Sequence, residues 1–303
     1  MRLDRFVLAH VRGGSRRTAS ELVAAGAVRV NGRPGRKGQM IRPGDTVDLA
    51  LDALAAALEP QPELPLAVLF ADDALVAVDK PAGMPAVALR ASDRDTLANA
   101  LLGRFPELAA TSPAFLETGL VHRLDTATSG VVLAARTPQA WHALREQFRQ
   151  RAVEKHYLAL ACGTIGQAGT VRVPIAHRPR RPREMCACPE PQRARALRAR
   201  AAETHYRPLR AGAGVTLLEI DIPTGVRHQI RVHLASIGHP IVGDPLYAAD
   251  VGITAPRLML HATRLRVRHP VSGQGVTIES PEPLGFHDVL RQHPPLPPGK
   301  GSG

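Results

Sequence analysis

A nine-residue run, His122-Arg123-Leu124-Asp125-Thr126-Ala127-Thr128-Ser129-Gly130, constrains this chain more than any other segment. It sets one carboxylate after an arginine and an apolar residue. A turn rich in hydroxyls follows and ends in Gly130, leading directly into the apolar strand Val131-Val132-Leu133-Ala134. A turn of this composition ties up its own backbone groups. It also leaves a carboxylate at the lip of a strand, a suitable place to present a nucleophile. On residue types alone both readings stand: Asp125 as a local backbone acceptor, the commoner fate, or as a reactive group.

The run His-Arg-Leu-Asp-x-x-Thr-Ser-Gly resembles the catalytic motif of the RluA-type pseudouridine synthases, which convert uridine within RNA into its C-glycoside isomer. Two later segments agree with it in order. Lys155-His156-Tyr157-Leu158-Ala159 is similar to the family's Lys-x-Tyr-x-Ala strand, and Gly225-Val226-Arg227-His228-Gln229-Ile230-Arg231 is similar to its Gly-Arg-Thr-His-Gln-Ile-Arg segment. The chain departs from the pattern at Val226, which replaces the family's first Arg, and at Asp79. There Asp79-Lys80-Pro81-Ala82-Gly83 stands for the usual Asn-Lys-Pro-x-Gly.

The resemblance implies an isomerase, an intramolecular transferase, of α+β fold. Its catalytic domain would have a long mixed, mainly antiparallel sheet with an RNA cleft across one face. Asp125 takes the position of the catalytic aspartate nucleophile. Arg231 takes that of the arginine paired with it. Tyr157 takes that of the active-site tyrosine, able to stack on a flipped uracil or relay the proton from its carbon 5. Arg123 becomes a candidate for RNA backbone contact or base extrusion, and His122 a structural residue. The reaction breaks a bond from ribose to ring nitrogen, turns the uracil and makes a bond to carbon 5. No redox change or phosphoryl transfer occurs, so the expected site needs neither cofactor nor metal, only a nucleophile, a proton acceptor, a cation and a pocket. Two other classes compete: a non-catalytic RNA-binding protein, and a nucleoside N-glycosidase, which would commonly use two carboxylates.

Charge narrows the partner. The 303 residues hold 39 Lys and Arg against 27 Asp and Glu, a formal net charge of +12, and the isoelectric point is near 10.8. That balance fits a polyanion. No apolar run reaches the length of a membrane span, and residues 1–14 lack the pattern of a secretory signal. RNA is therefore expected, ribosomal RNA in particular, with a monomeric protein in the cytoplasm. Three cysteines, an odd count, fit a reducing compartment. The Cys186–Cys188 pair has no partners ordered as a metal site.

Four segments are expected. Residues 1–50 carry ten basic against four acidic side chains, about +6. Leu3, Phe6, Val7 and His10 fall at helical spacing, and Gly13-Gly14 breaks that helix. Ser15 caps a second helix bearing Arg16 and Arg17, which Gly26 ends. Val28-Arg29-Val30 meets the hairpin signal Asn31-Gly32, and Thr46-Val47-Asp48-Leu49 closes the unit after Pro43-Gly44-Asp45. This order resembles the S-four-like RNA-binding domain, with Arg16, Arg17 and Arg29 as RNA contacts. Residues 51–65, holding Pro60, Pro62 and Pro65, read as a linker. Residues 66–291 form the catalytic domain, and 292–303 a disordered tail. Within the catalytic domain Thr137 caps a helix whose stripe is Trp141, Leu144 and Phe148. A helix over 227–234 carries Arg227, a further RNA contact, and Arg231. The Arg- and Pro-rich stretch 177–200 reads as an exposed insertion without a core, tracking RNA phosphates or mobile.

Overall fold

The Asn31-Gly32 pair turns the chain as its residue types require. In the computed structural model both residues have left-handed backbone angles, φ 51° and 76°, the geometry of a two-residue hairpin turn. The turn joins β1 (Val28–Val30) to β2 (Arg33–Pro34), and β3 (Val47–Leu49) pairs on the other side of β1, giving the order β2-β1-β3. The Asn31 side chain fixes that third strand: its amide donates to Asp45 and its carbonyl accepts from the Thr46 N–H, each at 2.8 Å. Helix α1 (Leu3–His10) buries Leu3 and Val7 against Leu22, Val23, Val28 and Val30.

The structure describes residues 1–10, 19–20, 22–23, 26–49, 58–90, 92–112, 116–248, 252–253 and 255–294. The expected Gly13-Gly14 break, the Ser15 cap, Arg16 and Arg17 lie outside the described residues. So do residues 51–57 of the linker and 295–303 of the tail.

Among the described residues the large sheet has nine strands. These are β4 (Ala67–Ala71), β5 (Leu75–Lys80), β6 (Ser129–Ala135), β7 (Glu154–Cys162), β8 (Gly169–Val171), β11 (Thr204–Gly212), β12 (Val215–Asp221), β13 (Leu260–Arg268) and β14 (Gly275–Glu279). The order is β4-β5-β6-β13-β7-β12-β11-β8, with β14 also on β13. Every pairing is antiparallel except β6 with β13, where Ser129 faces His261 and Gly130 faces Ala262. The fold is thus α+β with a mixed, mainly antiparallel sheet.

Every residue of β6 is buried, so it needs apolar cover on both faces. Side chains alternate across a strand. Val132 and Ala134 enter one apolar cluster, with Leu101, Leu160 and Leu218. Val131, Leu133 and Ala135 enter another, with Trp141, Leu144 and Leu265. The second cluster is covered by helix α3 (Pro138–Arg149). Its N-cap is Thr137, whose hydroxyl accepts from the Ala140 N–H. Gly130 is required where β6 meets β13: its φ is +117°, and a Cβ would stand 2.2 Å from the Ala262 carbonyl oxygen.

Four expectations are corrected. Residues 58–65 are not a free spacer. Leu58 is buried in the larger cluster, and the Asn99 side chain, on helix α2 (Leu97–Arg104), donates to the Glu59 carbonyl. The helix expected over 227–234 is α5, Gln229–Ser236. His228 takes φ 55°, which a helix cannot continue. Gln292 ends helix α6 (Leu284–Gln292), and the carbonyls of His293 and Pro294 accept from the Ala213 N–H. This start of the expected tail is therefore tied down.

The Arg-rich stretch is not coreless. β9 (Ile175–His177) and β10 (Met185–Ala187) pair antiparallel, followed by the short helix α4 (Pro191–Ala196). Met185 and Ile175 are buried with Ala202, Val226 and Val232. The stretch has little apolar content of its own, and residues on either side of it in sequence supply the rest.

Candidate active site

Asp125 ends the segment that leads into β6, and its turn is held from both sides. The Asp125 carbonyl accepts from the Thr128 N–H, and the Thr126 carbonyl accepts from the Gly83 N–H. Beneath it lies Lys80, fully buried at the end of β5. Its ammonium donates to the carbonyls of Pro81 and Met84 at 2.8 Å and of Thr126 at 3.2 Å. Burial pulls the Lys80 pKa down to about 8, against the pull of Asp125.

A cavity of about 440 Å³ opens above this turn. Its lining includes Arg123, Asp125, Tyr157, Arg227, His228 and Arg231. Three distant segments therefore meet here: the turn before β6, the middle of β7 and the start of α5. Arg16 and Arg17 lie outside the described residues. Arg29 sits exposed on β1, donating to the Gly32 carbonyl at 3.2 Å.

Arg231 is only 4% exposed, whereas the Asp125 side chain is 26% exposed. Arg231 Nη1 lies 3.4 Å from Asp125 Oδ2. Its stronger partner is Asp244. Arg231 Nε and Nη2 donate to the two Asp244 oxygens at 2.7 and 2.8 Å, a two-pronged ion pair with no solvent on the acid. Burial opposes the Arg231 charge, but Asp244 first and Asp125 second outweigh it, and the pKa rises. The guanidinium also sits over the Tyr247 ring, 5.2 Å from its centroid.

His228 Nε2 is 3.9 Å from Asp125 Oδ2. Its Nδ1 meets the Tyr247 hydroxyl at 2.9 Å. Burial lowers its pKa to about 4, despite the opposing pull of Asp125, so the ring is neutral at pH 7. Tyr157 on β7 is nearly buried, and burial, then the Asp125 charge, push its pKa above the usual phenol range. Its hydroxyl therefore keeps its proton.

Arg123 is exposed at the cavity mouth. Arg227 is exposed too, but it donates to the carbonyls of Pro182 and Arg183 at 3.2 and 3.1 Å, buttressing the Arg-rich hairpin. His122 lies away from the reactive side: its Nε2 accepts from the Leu133 N–H at 3.0 Å and its ring stacks on Phe148. Cys186 and Cys188 are free thiols with sulfurs 4.0 Å apart.

Sequence reasoning singled out neither Asp244 nor Tyr247, since Gly243-Asp244-Pro245-Leu246-Tyr247 reads as an ordinary loop. The one available signal was an acid between two turn-forming residues. His228 and Lys80 stood inside quoted motifs without a role.

The fold is that of known proteins. Residues 74–236 match the sequence family described as RNA pseudouridylate synthase, and residues 1–47 match the S4 domain. The ribosomal large subunit pseudouridine synthase D of Nitrosomonas europaea is 40% identical over 242 residues, 77% of this chain and 67% of that protein. The protein of the same name from Xanthomonas campestris is 38% identical, covering 91% of this chain and 84% of its own. The solved structure of human RNA pseudouridylate synthase domain containing 1 superposes with a TM-score of 0.58 at 25% identity, spanning 79% of this chain and all of that one. The chain belongs to the RluA-type family of RNA pseudouridine synthases, isomerases acting on RNA, and carries an N-terminal S4 domain.

Proposed function

We propose that this enzyme isomerises specific uridines of structured ribosomal RNA, with Asp125 as the nucleophile. The observation that carries the reading is the setting of Asp125. It is a partly solvent-open carboxylate on the floor of a 440 Å³ cavity, beside a cation that Asp244 holds in place. A carboxylate beside a fixed cation can act as a nucleophile without a base. It needs a cation once bound RNA expels water, and Arg231 supplies one. An adduct at the ribose anomeric carbon and a glycal-like route both use this ionised group.

Tyr157 forms one wall of the cavity, where its ring stacks on the extruded uracil. Its proton is firmly held, so it serves in proton relay only by giving one up as it takes one. Arg123 meets the RNA backbone at the mouth. Arg16, Arg17 and Arg29 contact RNA within an N-terminal unit of residues 1–50, and residues 66–291 form the catalytic domain. Arg227 contacts RNA with its remaining donors while it steadies the hairpin. That hairpin and its extension offer Arg180, Arg183, Arg193, Arg195 and Arg198 along an exposed surface suited to phosphates. Ribosomal RNA is the substrate that the names of the similar large-subunit enzymes point to. On the same reading the protein works as a monomer in the cytoplasm.

The N-glycosidase alternative needs a second working carboxylate. Asp244 shares Arg231 with Asp125, but its side chain has no solvent exposure and both oxygens are engaged by Arg231. The test is pseudouridine mapping across ribosomal RNA from cells with and without the gene, paired with Asp125→Asn in vitro. Loss of particular pseudouridines, and loss of turnover with RNA affinity kept, is the expected result. Turnover within about tenfold of wild type, only ~1.4 kcal/mol, overturns the nucleophile assignment.

A further inference from the structure

The two groups that approach Asp125 share one oxygen. Arg231 Nη1 is 3.4 Å from Oδ2, and His228 Nε2 is 3.9 Å from the same atom. Among the described residues no hydrogen-bond donor reaches Oδ1. The carboxylate thus has a held side and a bare side.

The hydrogen on His228 can be located from its neighbours. The Tyr247 hydroxyl accepts from the Met185 N–H at 2.8 Å. Its single hydrogen is then directed to its other partner, His228 Nδ1, at 2.9 Å. A neutral imidazole accepting at Nδ1 carries its hydrogen on Nε2. That Nε2–H faces Asp125. Tyr247 is itself placed by the Asp244 carboxylate, which accepts the N–H groups of Leu246 and Tyr247 at 2.9 and 3.2 Å. The left-handed backbone of His228, just ahead of α5, brings the ring to this spot. Hence one buried acid, Asp244, fixes both the cation and, through Tyr247, the neutral donor.

We propose that His228 is a positioning residue for Asp125: with Arg231 it fixes Oδ2, so that Oδ1 is the oxygen presented to the ribose. This rests on the reading of Asp125 as the nucleophile. The 3.9 Å separation closes to a hydrogen bond when the target nucleotide fills the cavity. A neutral donor suits the task. It orients the carboxylate without a second positive charge, which would weaken its nucleophilicity. The groups around the ring are Asp125 and Asp244 on the acidic side, Arg231 and Arg227 on the basic side, and Tyr247.

The test uses full-length protein and a saturating ribosomal RNA transcript under single-turnover conditions, with thermal unfolding as the folding control. His228→Leu removes the donor, and His228→Gln keeps an N–H of similar reach. The expected result is a rate constant about 10- to 100-fold lower for His228→Leu, the scale of a hydrogen bond to a charged group. RNA affinity should be unchanged, and His228→Gln should recover most of the loss. Tyr247→Phe removes the donor that holds Nδ1 as an acceptor, so the hydrogen is no longer fixed on Nε2, and the rate should fall toward that of His228→Leu. If Asp125→Asn is dead while folded His228→Leu turns over at the wild-type rate, this inference fails and the nucleophile reading survives. If Asp125→Asn is active, the nucleophile reading itself fails. A folded His228→Gln as slow as His228→Leu, or a change confined to RNA affinity, also overturns the donor role.

Discussion

Arg231 gives two of its nitrogens to Asp244, at 2.7 and 2.8 Å, and leaves one facing Asp125 at 3.4 Å. Asp244 has no exposed surface, so this pair forms a rigid bracket rather than a mobile surface contact. A cation mounted this way cannot swing away when the cavity empties or fills.

That bracket separates stability from chemistry. Asp244→Asn leaves a buried guanidinium without its counter-charge and should cost about 3–5 kcal/mol of folding stability. Asp125→Asn removes a carboxylate that is a quarter exposed and only loosely held, and should leave stability within about 0.5 kcal/mol of wild type. Urea unfolding of the two variants beside wild type checks the contrast. Equal losses would mean the two acids share Arg231 evenly.

Lys80 lies under the turn that carries Asp125. Lys80→Met keeps the aliphatic stem but strips the carbonyls of Pro81 and Met84 of the ammonium donor, while the Thr126 carbonyl keeps only the Gly83 N–H. The loss should be about 2–4 kcal/mol, at ~1–3 kcal/mol for each buried group left unsatisfied and with partial relaxation. Turnover should fall in the fraction that remains folded, because the Thr126 carbonyl adjoins Asp125. Thermal unfolding together with active-site titration separates these two effects.

Residues 1–50 carry ten basic against four acidic side chains. Deleting residues 1–50 removes a net charge of about +6 and should flatten the dependence of RNA affinity on salt. Each lost phosphate contact changes the log–log slope by about 0.7–0.9. A short RNA at high concentration should still be converted. An unchanged slope would show that RNA does not touch this unit.

Acid should destabilise the fold before its carboxylates titrate. Burial, the leading cause in each case, lowers the pKa of His122 to about 3 and of His228 and His261 to about 4. Below pH ~6.5 the unfolded chain takes up protons at these sites that the folded chain refuses. Stability is therefore full above pH ~6.5 and falls as pH drops toward 4, by on the order of 3 kcal/mol for each ring. His122→Gln keeps an acceptor for the Leu133 N–H without titrating, so it should remove part of that slope. Urea midpoints at pH 7.5 and 4.5 measure it.

Features set by neighbours in sequence could be read from the sequence. Asn31-Gly32 fixes its own turn, Thr137 and Pro138 start their own helix, and the apolar run after Gly130 is a strand buried on both faces. Asp244 and Tyr247 could not be read, because their roles exist only once the 243–247 loop lies against α5. The Arg-rich stretch misleads for a related reason: Met185 finds its apolar partners at Ile175, Ala202, Val226 and Val232. His228 shows a third kind of limit. Its left-handed backbone opposes the helical pattern around it, and local propensity conceals such a conflict.

The one parallel pairing among the described strands, Ser129 beside His261, joins residues 132 positions apart, and their side chains hydrogen-bond at 2.9 Å. Tyr157, Arg231 and Asp244 are strung along the intervening chain, and Asp125 stands four residues before Ser129. A contact of such long range pays its loop-closure entropy before it gains any stabilisation, and it forms slowly. On refolding, the N-terminal hairpin and helix α3 can form early from local contacts alone. Turnover should return only with the slowest phase, so recovered activity reports the docking of β13 rather than the regain of helix or strand content.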